Sequence, residues 1–457
     1  MGAWFSTVSF HSLAIVISVL VYTLTTRAER ERRPPSIAIA WVSGMIALPY
    51  LVLPMYLMFG RRKLPRRTLP RGATRSFADH WAKDLIESFG LPPSSPAVIN
   101  MHEEGKDSAA ALFTIMSNAV SRLDICTFIL GDDAFGREAI QRMLERARGG
   151  VEVRLLLDGF GAMQLPKSCI KNLQAGGVQT AIFSPLFARK TQGPRNLRNH
   201  RKMVIADGAH LWGGGRNLAA EYFYGIAGRE PWRDLTFDLR GAVAAAGAAQ
   251  FESDWVAAGG KPASADVFST AALIKVGPNA SEAQFLPSGP DQSEDTVHAL
   301  LIDACFQSRN RMLAITPYFV PDVSLETAMR LAARRGVRVD LCIPANSNHV
   351  LADFARNRAL RALSQAGVNV HLLPFMSHAK GMVFDDSLAL SGSVNLDSRS
   401  LLLNYECAVV FYGSTEIRWL AHWIEALIPE TTAFNARPPG LFRDICEGLL
   451  LTVAYQL

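Results

Sequence analysis

An internal repeat constrains this chain more than any other feature of its sequence. Residues 199 to 217 read NHRKMVIADGAHLWGGGRN, and residues 377 to 395 read SHAKGMVFDDSLALSGSVN. His200, Lys202, Asp207, Gly214, Gly215 and Asn217 lie 178 positions before His378, Lys380, Asp385, Gly392, Ser393 and Asn395. A constant offset through six positions implies a duplicated structural unit. Upstream, RGGVEVRLLLD aligns with RRGVRVDLCIP at an offset of 186. The first unit therefore carries eight extra residues before its motif, near the basic stretch ARKTQGPRNLRN, which is a candidate substrate loop.

The aligned stretches have an α/β signature. VEVRLLLD (151–158) and VRVDLCIP (337–344) read as buried strands. REAIQRMLERARGG (137–150) and LETAMRLAARRG (325–336) read as amphipathic helices before them. His-x-Lys on a strand points both side chains to one face, and an aspartate five residues after the lysine points to the other. Asp207-Gly208 and Asp385-Asp386-Ser387 suggest hairpin turns. Two-residue turns at 208–209 and 386–387 would set His200 opposite Asn217 and Lys202 opposite Gly215. They would likewise set His378 opposite Asn395 and Lys380 opposite Ser393.

Such a cluster suits a phosphodiester. Lysine and asparagine donate to non-bridging oxygens and stabilise the charge that grows on them in the transition state. Gly215 and Ser393 are small enough to let the phosphate approach the backbone. A histidine can serve as nucleophile or as acid and base. One histidine cannot both attack phosphorus and protonate the alkoxide leaving on the opposite side. In-line displacement therefore calls for both copies, and for no metal or cofactor.

The net charge of +6 is unevenly placed. Eleven of the 47 basic residues fall in 27–33 and 61–75, while 76–457 holds 36 bases against 39 acids. A nucleic-acid binder would carry its basic excess on the folded body, so DNA and RNA are not the expected partners. Residues 7–26 and 36–59 contain no Asp, Glu, Lys or Arg and read as two transmembrane helices. Seven Lys or Arg follow the second stretch and four arginines occupy the loop between them, which favours a cytoplasmic body. The basic segment after the second span should also attract an anionic membrane surface. Six single cysteines, without CxxC or His/Cys ligand spacing, read as reduced thiols. Asp133 and Asp158 read as turn or cap residues. The apolar C-terminus PPGLFRDICEGLLLTVAYQL could lie on the bilayer or pack on the domain.

The paired HxKxxxxD, followed by GGxN or GSxN, resembles the phospholipase D superfamily. RPPSIAIAW, LRNHRK, PWRD (231–234), SGPD (288–291), TPYFVPD (316–322) and SGSVNLDSRSLLLNYE (391–406) are similar to bacterial cardiolipin synthases within it. The resemblance implies an α/β fold: two pseudo-twofold-related halves, each a mixed sheet flanked by helices, with the site at their interface. The expected organisation is a membrane anchor over 1–60, a basic linker over 61–80, and halves over 81–265 and 266–457. It implies catalytic His200, Lys202, Asp207, His378, Lys380 and Asp385, and phosphate contacts from Asn217, Asn395, Gly215 and Ser393. Asp207 and Asp385 belong to the family signature, though their parity makes them supports. Glu406 is implied to orient the second-half histidine and Asp234 the first-half one. The implied reaction joins two phosphatidylglycerols into cardiolipin through a phosphohistidine, at the bacterial inner membrane. A membrane-bound phospholipase D releasing phosphatidic acid is the alternative.

Overall fold

The computed structural model describes residues 2–29, 35–60, 80–185, 196–263 and 280–451. Residues 61–79 of the basic linker, 188–195 of the candidate substrate loop, the expected boundary at 265–266 and the last six residues of the apolar C-terminus lie outside them.

The first half contributes seven strands: β1 (Ser95–His102), β2 (Arg122–Thr127), β3 (Glu152–Asp158), β4 (Gln179–Phe183), β5 (Met203–Ala206), β6 (His210–Gly214) and β7 (Thr236–Gly241). The second contributes β8 (Ser281–Ser288), β9 (Arg311–Ile315), β10 (Phe319–Val320), β11 (Arg338–Pro344), β12 (Asn369–Leu373) and β13 (Gly381–Phe384). It continues with β14 (Leu388–Gly392), β15 (Leu396–Asp397), β16 (Glu406–Phe411) and β17 (Thr432–Ala433).

Apart from the short parallel pair β10–β15, these strands form one 15-stranded sheet. Its order is β17-β12-β11-β9-β13-β14-β16-β8-β1-β7-β6-β5-β2-β3-β4. Outward from the central β8–β1 pair, both directions repeat the same pattern, antiparallel as far as β9 or β2 and parallel to β12 or β4, and the second half adds the short antiparallel edge strand β17. The two mixed sheets expected for the halves are thus one sheet. Three antiparallel residue pairs, from Ser95↔Ala283 to Ala97↔Ser281, join them.

The parallel flanks explain the hydrophobic runs. Strands buried on both faces lose the polar alternation of a half-exposed strand, and β3 is buried from Val153 onward. The helix before it, Ala134–Arg148, buries Phe135, Ala139 and Met143 at helical spacing. Asp133 caps that helix, its Oδ1 accepting from the Gly136 N–H at 2.8 Å. Asp322 caps Val323–Arg334 in the second half in the same way. Helices Ala242–Ala257 and Ser414–Leu427 cover the other face, burying Phe251, Trp255, Leu420 and Ile424 in the largest apolar cluster.

A buried ionic strut crosses the centre. The Arg201 guanidinium donates to Asp254 at 2.5 Å, to Asp291 at 3.0 Å, and to the Ser288 and Glu406 carbonyls at 3.0 and 2.9 Å. It ties the first motif to the SGPD turn of the second half. All six cysteines are free, and Cys126, Cys305, Cys342 and Cys407 are buried.

The N-terminal expectation needs correction. Three helices, α1 (Gly2–Glu29), α2 (Pro35–Ala47) and α3 (Pro49–Phe59), occupy the region read as two spans. The stretch 36–59 is not one helix, because Pro49 lacks an amide donor and pushes Leu48 out of helical geometry, to φ −140° and ψ 63°. Among the described residues, no helix is long and apolar enough to cross a membrane. The three helices meet at buried Tyr22, Met45 and Tyr56, where the Thr25 and Tyr56 hydroxyls share a 2.6 Å hydrogen bond.

Candidate active site

Each motif folds into the expected hairpin, with the turn one residue earlier than the sequence suggested. Ala206 pairs with His210 and Phe384 with Leu388, so the turns centre on Asp207-Gly208 and Asp385-Asp386. Asp207 and Asp385 have φ of 52° and 50°, a left-handed conformation that a short polar side chain tolerates. The one-residue shift undoes the cross-strand pairs expected for Lys202 and Lys380.

The two aspartates stand away from the histidines. Asp207 accepts from the backbone amides of Val120, Ser121 and Arg122 at 3.0, 2.7 and 2.9 Å. Asp385 accepts from Arg309, Asn310 and Arg311 at 2.9, 2.8 and 2.8 Å. Each carboxylate thus fastens its hairpin turn to the start of the adjacent strand, β2 or β9.

The histidines lie where the halves interlace. His200 N–H donates to the Tyr405 carbonyl at 2.8 Å, and Tyr405 N–H to the Arg198 carbonyl at 2.9 Å. On the other side, His378 N–H donates to Arg233 at 2.7 Å, and Arg233 N–H to Met376 at 3.1 Å. Each histidine segment therefore runs beside the carboxylate-bearing segment of the opposite half. His200 Nδ1 lies 2.9 Å from Glu406 Oε1, and His378 Nδ1 lies 3.0 Å from Asp234 Oδ2. The orienting pairs are crossed. Glu406 serves the first-half histidine and Asp234 the second, the reverse of the assignment that the resemblance implied.

Gly215 and Ser393, expected to face a phosphate, back these carboxylates instead. Ser393 Oγ donates to Glu406 Oε2, and Ser400 Oγ donates to Oε1 at 2.5 Å. At the equivalent place in the first half, a Cβ on Gly215 would sit 2.1 Å from Asp234 Oδ1. Asp234 Oδ1 takes its bond from the Leu235 amide at 2.7 Å. Asn217 accepts from the Ile129 amide at 3.2 Å and donates to the Tyr222 hydroxyl at 2.9 Å. Asn395 Oδ1 is buried without a hydrogen-bond partner among the described residues.

Both lysines reach the motif backbone. Lys202 Nζ donates to the His200 carbonyl at 2.7 Å, and Lys380 Nζ to the His378 carbonyl at 2.5 Å. Lys380 Nζ also lies 2.9 Å from Nδ1 and 3.1 Å from Nε2 of His378. Burial pushes the imidazoles down, to about 4 for His200 and about 3 for His378, against the pull of their carboxylates. It also lowers Lys202 to about 8 and Lys380 to about 7. Burial alone would raise Asp234 and Glu406; hydrogen bonds from the imidazoles and the nearby lysine charges outweigh it and hold both below the ordinary range. The free protein at neutral pH thus carries two neutral imidazoles. Their Nδ1–H groups face carboxylates, which leaves Nε2 as the lone-pair nitrogen.

Aromatic rings frame the pair. Phe128 meets His200 edge-on with ring centres 5.0 Å apart, and Tyr222 meets His378 at the same distance. Tyr222 belongs to the first half and His378 to the second. Nothing in the local sequence marks that contact.

A family model described as "Cardiolipin synthase, PLD-like domain" matches residues 112–255 and 301–428, and each block holds one His–Lys–Asp motif with its asparagine. The chain belongs to this family. Cardiolipin synthase A of Pseudomonas aeruginosa is 31% identical, over 92% of this chain and 91% of that protein. The protein of the same name from Pseudomonas syringae pv. syringae is 30% identical, over 82% of this chain and 83% of its own. Among solved structures, phosphatidylserine synthase of Haemophilus influenzae superposes with a TM-score of 0.61 at 14% identity, covering 82% of this chain and 99% of that one. Polyphosphate kinase of Porphyromonas gingivalis gives 0.51 at 13%, covering 88% and 60%. These structural likenesses show the fold, two α/β halves.

Proposed function

We propose that this cardiolipin synthase family member is a membrane-associated phosphatidyltransferase that makes cardiolipin and glycerol from two phosphatidylglycerols. The observation that carries the reading is the crossed pair, with two neutral imidazoles on carboxylates of opposite halves and a lysine beside each. His200 Nε2 attacks phosphorus, His378 gives a proton to the departing glycerol oxygen, and a phosphohistidine forms. The hydroxyl of a second phosphatidylglycerol then loses its proton to His378 and attacks phosphorus, the P–N bond breaks, and cardiolipin leaves. Lys202 and Lys380 stabilise the equatorial oxygens, each contribution being roughly 3 kcal/mol in comparable oxyanion sites.

An asymmetry supports His200 as nucleophile. Lys380 lies within hydrogen-bond distance of both ring nitrogens of His378, close enough to pass it a proton and take one back, which suits an acid and base rather than a nucleophile. Glu406 alone hydrogen-bonds the His200 ring among the described residues. To act as acid, His378 must gain a proton, and the negative charge of a bound diester raises its pKa in that direction.

The membrane is the natural place for α1–α3. Phe10, Leu13, Val16, Leu20 and Leu24 of α1 and Leu51, Met55 and Leu57 of α3 are exposed, and no charged residue lies between positions 10 and 26 or 35 and 60. In our reading these helices seat in lipid, and the basic segment 61–75 binds anionic headgroups at about 1 kcal/mol per basic residue. The deciding experiment follows the products formed from purified phosphatidylglycerol vesicles. Cardiolipin with equimolar glycerol supports the transferase. Phosphatidic acid without cardiolipin would make the protein a hydrolase, as would a His378→Ala variant with undiminished synthesis defeat the two-histidine route.

A further inference from the structure

The two histidines are paired by symmetry, but the loops at the carboxyl ends of the strands beside them are not alike. Their backbones correspond. Thr127 Oγ1 donates to the Ile129 carbonyl at 2.9 Å, and Thr316 Oγ1 to the Tyr318 carbonyl at 2.9 Å. Gly159 N–H donates to Phe183 at 2.8 Å, and Ala345 N–H to Leu373 at 2.8 Å. At the same 186-residue offset, Phe160, Ala162 and Met163 correspond to Asn346, Asn348 and His349. The first rim is apolar, with Phe160 stacked on Phe128 at 6.3 Å and both Phe160 and Met163 exposed. The second rim is polar.

On that second rim two rings step outward from the reaction centre. Tyr318 lies 6.2 Å from the His378 ring, and His349 lies 4.9 Å from Tyr318. The Tyr318 hydroxyl donates to Asn348 Oδ1 at 2.6 Å, so the Asn348 amide nitrogen remains as a donor for another group. Asp353 holds the loop by accepting from the Ser347 amide at 2.7 Å. Burial keeps the His349 pKa below its ordinary value, so its ring offers one donor and one acceptor. Among the described residues, neither His349 ring nitrogen is hydrogen-bonded.

We infer that Tyr318, Asn348 and His349 form a polyol subsite. It holds the free hydroxyls of the glycerol headgroup as that group leaves, and those of the acceptor glycerol as it attacks. The inference rests on the transferase reading with His378 as acid and base. In-line displacement then puts the glycerol oxygen on the His378 side, and a vicinal diol there meets donor and acceptor groups. The corresponding first-half positions present only Ile129, Ala162 and Met163.

The test uses the full chain in phosphatidylglycerol vesicles with added radiolabelled glycerol. A free glycerol oxygen attacks the phosphohistidine, the P–N bond breaks, the hydroxyl proton passes to His378, and labelled phosphatidylglycerol appears. His349→Ala and Asn348→Ala should each raise the half-saturating glycerol concentration by about ten-fold, the value of one hydrogen bond. They should also move the product ratio from cardiolipin toward phosphatidic acid. His349→Gln, which keeps a donor and an acceptor, should recover part of the loss. Met163→Ala should leave the glycerol half-saturation as it is. Unchanged half-saturation in both alanine variants, or an equal rise in Met163→Ala, overturns the subsite alone. A wild-type enzyme that exchanges no glycerol overturns the transferase reading, and the subsite with it.

Discussion

Replacing Glu406 by Gln tests the crossed arrangement most directly. The carboxylate is fully buried and 2.9 Å from His200 Nδ1, and hydroxyls of Ser393 and Ser400 hold its two oxygens. Glutamine keeps the shape but removes the charge. A hydrogen bond to a charged group is worth about 1.5–3 kcal/mol, which corresponds to a loss of roughly 10- to 150-fold in the step that uses His200. Rapid quench of labelled phosphatidylglycerol on the enzyme should show slower phosphohistidine formation by that factor. Nitrogen-15 spectra should show the loss of the low-field Nδ1–H resonance of His200, with the His378 resonance retained. Asp234→Asn should give the mirror result, perturbing His378 and sparing His200. The reasoning fails if Glu406→Gln shifts the His378 resonance and leaves His200 as it was. That outcome would mean each half orients its own histidine.

Three further outcomes follow from the same geometry. In kcat/KM, which reports the free enzyme, activity should fall as pH drops through about 4, where His200 gains a proton, and fall again as pH rises through about 7 to 8, where Lys202 loses its charge and Lys380 loses the proton that neutral His378 must receive before it can act as acid; a profile controlled by one group near 6.5 would contradict the burial argument. Burial pushes the Asp207 carboxyl up, but its bonds to the 120–122 amides outweigh that and hold it below 3.8. Its stabilisation is thus complete above pH 3.8 and lost as pH falls through the depressed value. Asp207→Asn should cost about 1 kcal/mol at pH 7 in urea denaturation, discounted for its partial exposure, and the difference should shrink as the carboxyl is protonated below pH 3.8. Deleting residues 1–79 should abolish flotation of the enzyme with phosphatidylglycerol vesicles, and a truncated chain that floats as well as the full one would remove the anchor assignment.

The side chains that meet at the candidate site were legible because chemistry and repetition coincide. Six residues at one offset named His200, Lys202, His378 and Lys380, and parity alone set Asp207 and Asp385 apart from them. Local patterning also placed β3, β11 and the helices before them within a few residues. What could not be read was anything that depends on how the halves meet. Glu406 and Asp234 were found, yet their partners were exchanged, because sequence proximity says nothing about which histidine a buried carboxylate reaches across an interface. The hairpin register slipped by one residue because Asp207 and Asp385 adopt positive φ, a choice fixed by the amides they bind in β2 and β9. The proline break at Leu48–Pro49 was visible in the sequence, and hydropathy counted across it.

The exchange of carboxylates bears on where such a chain comes from. A protein with only one half would have a histidine without its carboxylate and a carboxylate without its histidine. It could function only when two identical copies came together face to face, each completing the other. Joining the copies in one chain would keep that mutual dependence while freeing the two sides from identity. A serine could then support one carboxylate while a glycine makes room for the other, and one loop could become oily as its twin became polar. On that view the symmetry is an inheritance, and the departures from it record what the joined chain was free to change.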